Sequence, residues 1–376
     1  MKYNTYIMED ALEAIIDYRG KTPKKSETGI PTLSAKTVKN NHIDYNNCYY
    51  ISEEEYRKFM VRGFPKKGDV LLTTEAPLGM TAILDRDDIA IAQRLLTLRG
   101  KAGILDNDYL LYYLQSPKGQ HLLKSHETGT TVTGIKQAVF RKLEITIPDI
   151  ETQRKIANVL STVDDKIAVN TAINQNLEQQ AQAIFKSWFV DFEPFDGVMP
   201  DDWIETTLGD VTRNIRTKIN NSTPVFSAVN SGNLVYSNDY FSKQVYSKDI
   251  SKYIKVDKWD FAYNPARINI GSIGINDLGV IGCVSPVYVV FSVQEEYHSF
   301  FRFYFRQEWF KQQSLTRASG SVRQTLNYSD FSLIDVVYPN TEFAKRFDGI
   351  WKSYYSLNYS HHCLIIASTP EKHWIK

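Results

Sequence analysis

The chain has 376 residues, of which 43% are hydrophobic and 23% charged, and its formal net charge at pH 7 is +1. This length gives room for two or three domains that each bury a core, and the composition is typical of a soluble protein. The near-neutral charge excludes a general polycation that coats nucleic acid, so any contact with DNA must come from local basic patches.

Cysteine usage and the chain ends indicate the compartment. Cys48, Cys283 and Cys363 are far apart and lack metal-ligand spacing, which favours a reduced environment. The first 17 residues include four acidic side chains and no uninterrupted apolar core. The longest apolar run near the C-terminal end, residues 363–367, is too short to span a bilayer. We therefore expect a cytoplasmic protein with no membrane partner and no metal site.

Residues 1–149 are predicted to form a first globular module of mixed α/β (α+β) type. Short β-rich runs at 69–74 and 89–92 are separated by Pro and Gly turns. Residues 108–124 have the apolar face of a helix, which Pro117 kinks or interrupts.

A long amphipathic helix is predicted over residues 150–192. Its apolar positions recur in alternating steps of four and three, the seam of a coiled coil, and about 39 residues give a rod of about 58 Å. The seam consists of Ile156, Leu160, Val163, Ile167, Asn170, Asn174, Leu177 and Ile184. The two asparagines either fix the register of the helices or mark a partly exposed stretch.

A linker at 193–202 is followed by a second module at 203–340 and a second, shorter helix at 341–368. Pro370 ends that helix before a tail at 369–376. Its seam includes Phe347, Ile350, Tyr354 and Leu357. Because neither helix can bury its apolar stripe alone, we expect the two to pack antiparallel.

The second module repeats the first. Residues 30–35 match 223–228, residues 67–71 match 258–262, and the loop that follows Gly129 matches the loop that follows Gly320, always at an offset of 191–193 residues. This offset is too long for a solenoid and suits a duplicated domain. The predicted fold is therefore a pseudo-two-fold internal repeat of two similar domains separated by two long antiparallel helices, which suits a DNA target with two half-sites.

The sequence contains no convincing catalytic motif. Residues 264–267 begin like the Asn-Pro-Pro-Tyr box of adenine methyltransferases but lack its second Pro and its aromatic residue. Residues 129–136 have the length of a phosphate loop, but Ile135 displaces its Gly-Lys step. Asp69 and Glu75 lack the Lys that completes a nuclease motif. We therefore predict a recognition protein with no catalytic residues.

At this point the chain resembles the specificity subunit of type I restriction-modification systems. In that family each target-recognition domain ends in a Gly-Ser/Thr loop, a short helix and a strand ending in Ile-Pro, before Glu and Gln open a spacer helix. The first copy has these features at 129–131, 140–148 and 151–153, with the Gln one residue late. The second copy has them at 320–324 and 331–339, but it loses the Gln and its distal helix is short.

The resemblance implies a division of labour within a larger complex. This chain would hold double-stranded DNA with a bipartite target, one half-site per domain, and would bind no cofactor. Two modification subunits would supply S-adenosylmethionine and the adenine-methylating sites. Restriction subunits would add ATP- and Mg-dependent translocation and cleavage. The alternatives are a coiled-coil adaptor between two proteins and a truncated specificity subunit with impaired assembly.

Side chains able to contact bases or phosphates form clusters in both modules, and for any single one a solvated basic loop is the competing interpretation. The candidate DNA-binding residues are Arg19, Lys21, Thr22, Lys36, Thr130, Thr131, Lys136, Gln137, Arg213, Arg216, Lys218, Arg267, Asn269, Ser321, Arg323 and Gln324. The loop after Gly129 and Gly320 ranks first because it recurs at the same place in both copies.

Overall fold

The computed structural model describes residues 2–129, 133–219, 223–241, 244–318 and 324–353. The chain forms two compact units, Met1–Ala168 and Val169–Lys376. One 40-residue helix, Ile150–Phe189, contributes residues to both. The predicted seam positions Tyr354 and Leu357 lie outside the described residues.

The first unit is built around a four-stranded antiparallel sheet with the order β2-β10-β7-β8. Strands β1 and β11 pair separately, β3 lies between β6 and β9, and β4 pairs with β5. The strands are β1 (Tyr3–Ile7), β2 (Leu12–Asp17), β3 (Ile30–Leu33), β4 (Val38–Lys39), β5 (His42–Ile43), β6 (Tyr49–Ile51), β7 (Val70–Thr73), β8 (Thr81–Ile83), β9 (Ala90–Ile91), β10 (Leu95–Gly100) and β11 (Glu144–Pro148).

Helices cover the central sheet of this unit. They are α1 (Met8–Ala11), α2 (Glu53–Phe59), α3 (Asn107–Gln115), α4 (Pro117–Ser125), α5 (Gln137–Phe140) and α6 (Ile150–Phe189). Leu110 and Leu114 of α3 are buried in the same core cluster as Leu72 of β7. Pro117 separates α3 from α4 as predicted, and the Ser116 hydroxyl caps α4 by accepting a hydrogen bond from the Gly119 N–H at 3.1 Å.

The second unit has the same sheet, here with the order β13-β20-β17-β18, and the same separate strand pair, β12 with β21. Its other pairs are β14 with β15 and β16 with β19. The strands are β12 (Ile204–Thr207), β13 (Arg213–Ile215), β14 (Phe226–Ala228), β15 (Leu234–Tyr236), β16 (Ile254–Val256), β17 (Phe261–Tyr263), β18 (Ile273–Ile275), β19 (Gly282–Val284), β20 (Val289–Ser292) and β21 (Asp335–Tyr338).

Aromatic side chains dominate the core of the second unit. Phe261 and Phe291 stack across β17 and β20 at 5.3 Å between ring centroids, and Phe305 meets both rings edge-on. Its helices are α7 (Leu208–Val211), α8 (Ser237–Tyr240), α9 (His298–Tyr304), α10 (Glu308–Arg317), α11 (Tyr328–Phe331) and α12, helical over the described residues 341–353.

Equivalent hydrogen bonds confirm the predicted internal repeat at an offset of 191 residues. Asp69 accepts a hydrogen bond from the Lys66 N–H at 2.7 Å, and Asp260 accepts one from the Asp257 N–H at 2.8 Å. The short helices α5 and α11 end at Phe140 and Phe331, and both rings are fully buried. The two copies therefore share sheet order, local capping and core positions.

The end of α6 packs against α12 within the second unit. Trp188 contacts Phe343 at 4.9 Å between ring centroids, and Phe185 contacts Phe347 at 5.8 Å. One residue number falls as the other rises, which is the pattern of antiparallel helices. The described part of α12 therefore confirms the predicted antiparallel arrangement.

The burial of α6 is greatest at its two ends. Phe185 and Phe189 are buried against the second unit, and Gln153 and Ala157 against the first. These positions lie one residue after the predicted seam positions Ile184, Trp188, and Ile156, while Leu160 and Val163 are each 38% exposed. The seam interpretation missed this shift because each end of the helix packs against the body of a domain, which the heptad pattern does not include. The side-chain oxygen Oδ1 of Asn174 is buried and has no hydrogen-bond partner among the described residues.

Candidate DNA interface

Three chain segments leave the central sheet of the first unit at one edge. Because β10 is antiparallel to both β2 and β7, the ends of β2 and β7 lie beside the start of β10, with Leu96 opposite Asp17 and Leu95 opposite Thr73. The predicted residues Arg19, Lys21 and Thr22 follow β2 directly. The sheet therefore brings several predicted contacts to one edge on a rigid support.

The loop after Gly129 is fixed to this same edge. The Ile135 N–H donates a hydrogen bond to the Thr74 carbonyl at 2.9 Å, and Gly134 forms a β-bridge with Glu75. A side chain at Gly134 would collide with the Thr74 carbonyl, since a built Cβ lies 2.5 Å from that oxygen. Lys136 is exposed and Gln137 half-buried just after this anchor. Thr130 and Thr131 lie outside the described residues.

Arg19 connects three segments of this edge. Its Nη2 donates hydrogen bonds to Thr74 Oγ1 at 2.9 Å and to the Ile135 carbonyl at 3.1 Å. The Arg62 guanidinium in turn donates to the carbonyls of Asp17 and Arg19 at 3.1 and 3.0 Å. Arg19 is half-buried, so its guanidinium is engaged in holding the loops together.

Exposed polar groups surround this centre. Lys21 and Thr22 are exposed, and Thr22 Oγ1 accepts a hydrogen bond from Gln93 Nε2 at 2.7 Å. The neighbouring Arg94 forms an ion pair with Glu75 at 2.7 Å. Lys36 is exposed on the turn after β3, which runs parallel to β9 and ends beside it. These side chains give the edge donors suited to phosphates and base edges.

Sequence reasoning missed Arg62, Gln93 and Arg94 at this edge. Gln93 and Arg94 are a polar pair between the apolar runs of β9 and β10, so a turn signal was present in the sequence. Nothing in the local sequence distinguishes Arg62, which reaches the edge only through the tertiary fold.

The second unit repeats the anchor. The Leu326 N–H donates to the Pro265 carbonyl at 3.2 Å, and both residues lie 191 positions after their counterparts Ile135 and Thr74. Arg267 and Asn269 are exposed on the 3₁₀ segment Pro265–Ile270, and Gln324 is exposed beside the anchor. Ser321 and Arg323 lie outside the described residues.

The remaining predicted residues of the second unit surround β13. Arg216 and Lys218 are exposed on the segment that leaves β13 after Ile215, which lies opposite Val290 near the start of β20. Arg213 is also exposed but begins the strand, at the end away from Arg216. The structure thus brings Arg216 and Lys218 to the edge of the sheet and places Arg213 apart from it.

The described residues include no group of three or more His, Cys, Asp or Glu side chains that could hold a metal ion. Among the helices of the described part of the chain, none is long and apolar enough to cross a membrane.

Comparison with known proteins identifies the class. Residues 10–179 match the family model described as the type I restriction modification DNA specificity domain. The chain is 32% identical over 197 residues to the type I restriction enzyme MjaIX specificity subunit of Methanocaldococcus jannaschii, covering 49% of this chain and 45% of that protein. It is 37% identical over 134 residues to the HindI specificity subunit of Haemophilus influenzae, covering 34% and 29%. The matched stretches thus span less than half of these relatives' own lengths.

A solved structure extends the likeness in fold to the whole chain. The crystal structure of the type I restriction-modification system S subunit from M. genitalium covers 99% of this chain and 97% of its own, with a TM-score of 0.53 and 15% identity. The segment 10–179 is a DNA specificity domain. The chain is a relative of the specificity subunits of type I restriction-modification systems, as its sequence predicted.

Proposed function

We propose that this chain is the DNA-reading subunit of a type I restriction-modification complex and has no catalytic residue of its own. Each unit reads one half of a bipartite double-stranded target through the loops at the edge of its central sheet. The observation that carries the proposal is the repeated anchor, Ile135 on Thr74 and Leu326 on Pro265, which presents the same loop in both copies. A duplicated reading head on one chain suits a target with two parts.

The proposed partners bind the spacer helices and supply the chemistry. Two modification subunits methylate adenine at N6 with S-adenosylmethionine, and restriction subunits use ATP and Mg²⁺ to translocate and cleave DNA. In this arrangement the chain acts in the cytoplasm and binds none of these cofactors. The exposed side chains Val159, Leu160 and Val163 on α6 leave apolar surface available for a partner.

Base-resolved adenine methylation tests the proposal. Cells that express this chain with its modification subunit should show a new bipartite motif with a fixed gap, which is absent when the chain is omitted. A full complement of expressed subunits without any chain-dependent motif would contradict it. The adaptor alternative predicts no DNA affinity, whereas phosphate contacts make binding weaken steeply with salt.

A further inference from the structure

Trp259 occupies a backbone position at which the first repeat has glycine. The segments Lys67-Gly68-Asp69 and Lys258-Trp259-Asp260 are equivalent, and their central residues have φ values of +89° and +70°. The left-handed region is unfavourable for a large side chain and natural for glycine. A tryptophan retained at such a position points to a role for its side chain.

The Trp259 ring forms one wall of a small cavity. It is 36% exposed and stacks on His298 with 5.9 Å between ring centroids and 19° between ring planes. The cavity has a volume of about 70 Å³, and Trp351 adds a third ring. Burial lowers the pKa of His298, which keeps its ring neutral at pH 7. The walls are therefore largely aromatic and uncharged.

Carboxylates complete the lining. Asp348 is buried; its Oδ1 accepts a hydrogen bond from Ser299 at 2.5 Å, and its Oδ2 pairs with Lys352 at 2.7 Å. Glu295 lines the cavity from an exposed position. With two carboxylates and one ammonium group, the lining has a net negative charge. Aromatic faces with negative charge attract cations.

The fold itself does not require this cavity. At the offset of 191, the first repeat has Gly68, Asn107 and Ala157 where the second has Trp259, His298 and Asp348. There the Asn107 side chain donates a hydrogen bond to the Gly68 carbonyl at 2.6 Å, so the same corner is closed by a polar contact. The aromatic and acidic lining is therefore an addition of the second copy alone.

We propose that this cavity binds an arginine or lysine side chain of the modification subunit. The inference rests on the proposed function, which places that subunit on the spacer helices. Trp351, Asp348 and Lys352 belong to α12, so the cavity is continuous with the start of the second spacer helix. One cationic head group suits the small volume, the rings and the net negative charge.

Replacing Trp259 tests the cavity without endangering the fold. Trp259→Gly installs the residue of the first repeat, so the purified full-length chain should melt at the same temperature or higher. Its Kd for the purified modification subunit of the same system should rise about 10- to 30-fold, the worth of a desolvated cation–π contact. Glu295→Gln should weaken binding less and reduce its dependence on salt.

Trp309→Ala is the matched control. Trp309 is 37% exposed, lies on α10 and packs on Tyr304, outside the cavity. This variant should bind the modification subunit like the parent chain. Equal binding by the parent and Trp259→Gly would overturn the cavity and leave the proposed function standing. If the parent chain itself failed to bind the modification subunit, both would be overturned.

Discussion

At the scale of single residues, Arg19 shows how a predicted DNA contact can act by positioning. One nitrogen of its guanidinium already donates to Thr74 and Ile135. We expect Arg19→Ala to lower the affinity for target DNA about tenfold by loosening the loop edge, while the slope of log K against log salt stays the same. Lys21→Ala should instead reduce that slope by about one, since each phosphate contact contributes about 0.9.

Fluorescence anisotropy on target DNA over a range of salt concentrations distinguishes these cases. Lys21 is exposed next to Arg19 and serves as the matched variant. A reduced slope for Arg19→Ala would show that this guanidinium contacts a phosphate directly, as the sequence-based hypothesis holds.

Asp260 makes the stability of the second unit depend on pH. Burial is the main cause that raises its pKa to about 6 from 3.8, with a contribution from the Asp257 carboxylate. The folded state thus keeps a proton that the unfolded state loses between pH 4 and 6, so this group's contribution to stability falls as pH rises through that window. Its counterpart Asp69 has an arginine partner, Arg99, at 2.7 Å.

We expect Asp260→Asn to raise the free energy of unfolding at pH 7 by about 2 kcal/mol, because the amide oxygen still accepts from the Asp257 N–H and carries no charge. Urea unfolding of both proteins at pH 4, 5, 6 and 7 measures the difference, which should be near zero at pH 4 and grow with pH. A difference independent of pH would contradict this account. Asp69→Asn should destabilise, since it leaves Arg99 without its partner.

At the scale of elements, each unit grips α6 from the same position of the repeat. Arg306 forms an ion pair with Glu178 of α6, and both side chains are about three-quarters buried. Its counterpart Gln115 donates to Asn41 at 2.6 Å, and Asn41 donates to Asp164 of α6 at 2.7 Å. The duplicated domain has kept the site of attachment and changed its chemistry.

The ion pair on α6 is open to a charge swap. Glu178→Arg and Arg306→Glu should each lower the free energy of unfolding by about 1–2 kcal/mol, and the double variant should recover most of the loss. A double-mutant cycle in urea gives the coupling energy. Additive losses would mean that the two side chains do not stabilise each other.

Much of this organisation could be predicted from the sequence because the repeat is local in pattern. The match of Gly129 with Gly320 located the anchored loop, and the heptad located α6. Arg62 and Gln93 escaped because their place depends on strand pairing between distant segments. Phe185 and Phe189 escaped because packing against a domain body shifts the buried face by one residue.

At the scale of the whole molecule, two separate cores imply two independent readers. Lys136 lies by the anchor of the first unit and Arg267 by that of the second, and both are exposed. We expect Lys136→Ala to relax base preference, about 5- to 100-fold at the affected positions, in one half of the methylated motif. Arg267→Ala should relax the other half in the same way.

The length of the gap should not change in either variant. Neither residue touches α6, and each unit has its own central sheet and core clusters, so a lost contact in one has no route to the other. Methylation sequencing of cells carrying each variant gives both half-sites and the gap from one experiment. If one substitution relaxed both halves, the two units would be coupled and the duplicated-reader account would fail. If both substitutions affected the same half, the assignment of one half-site to each unit would fail.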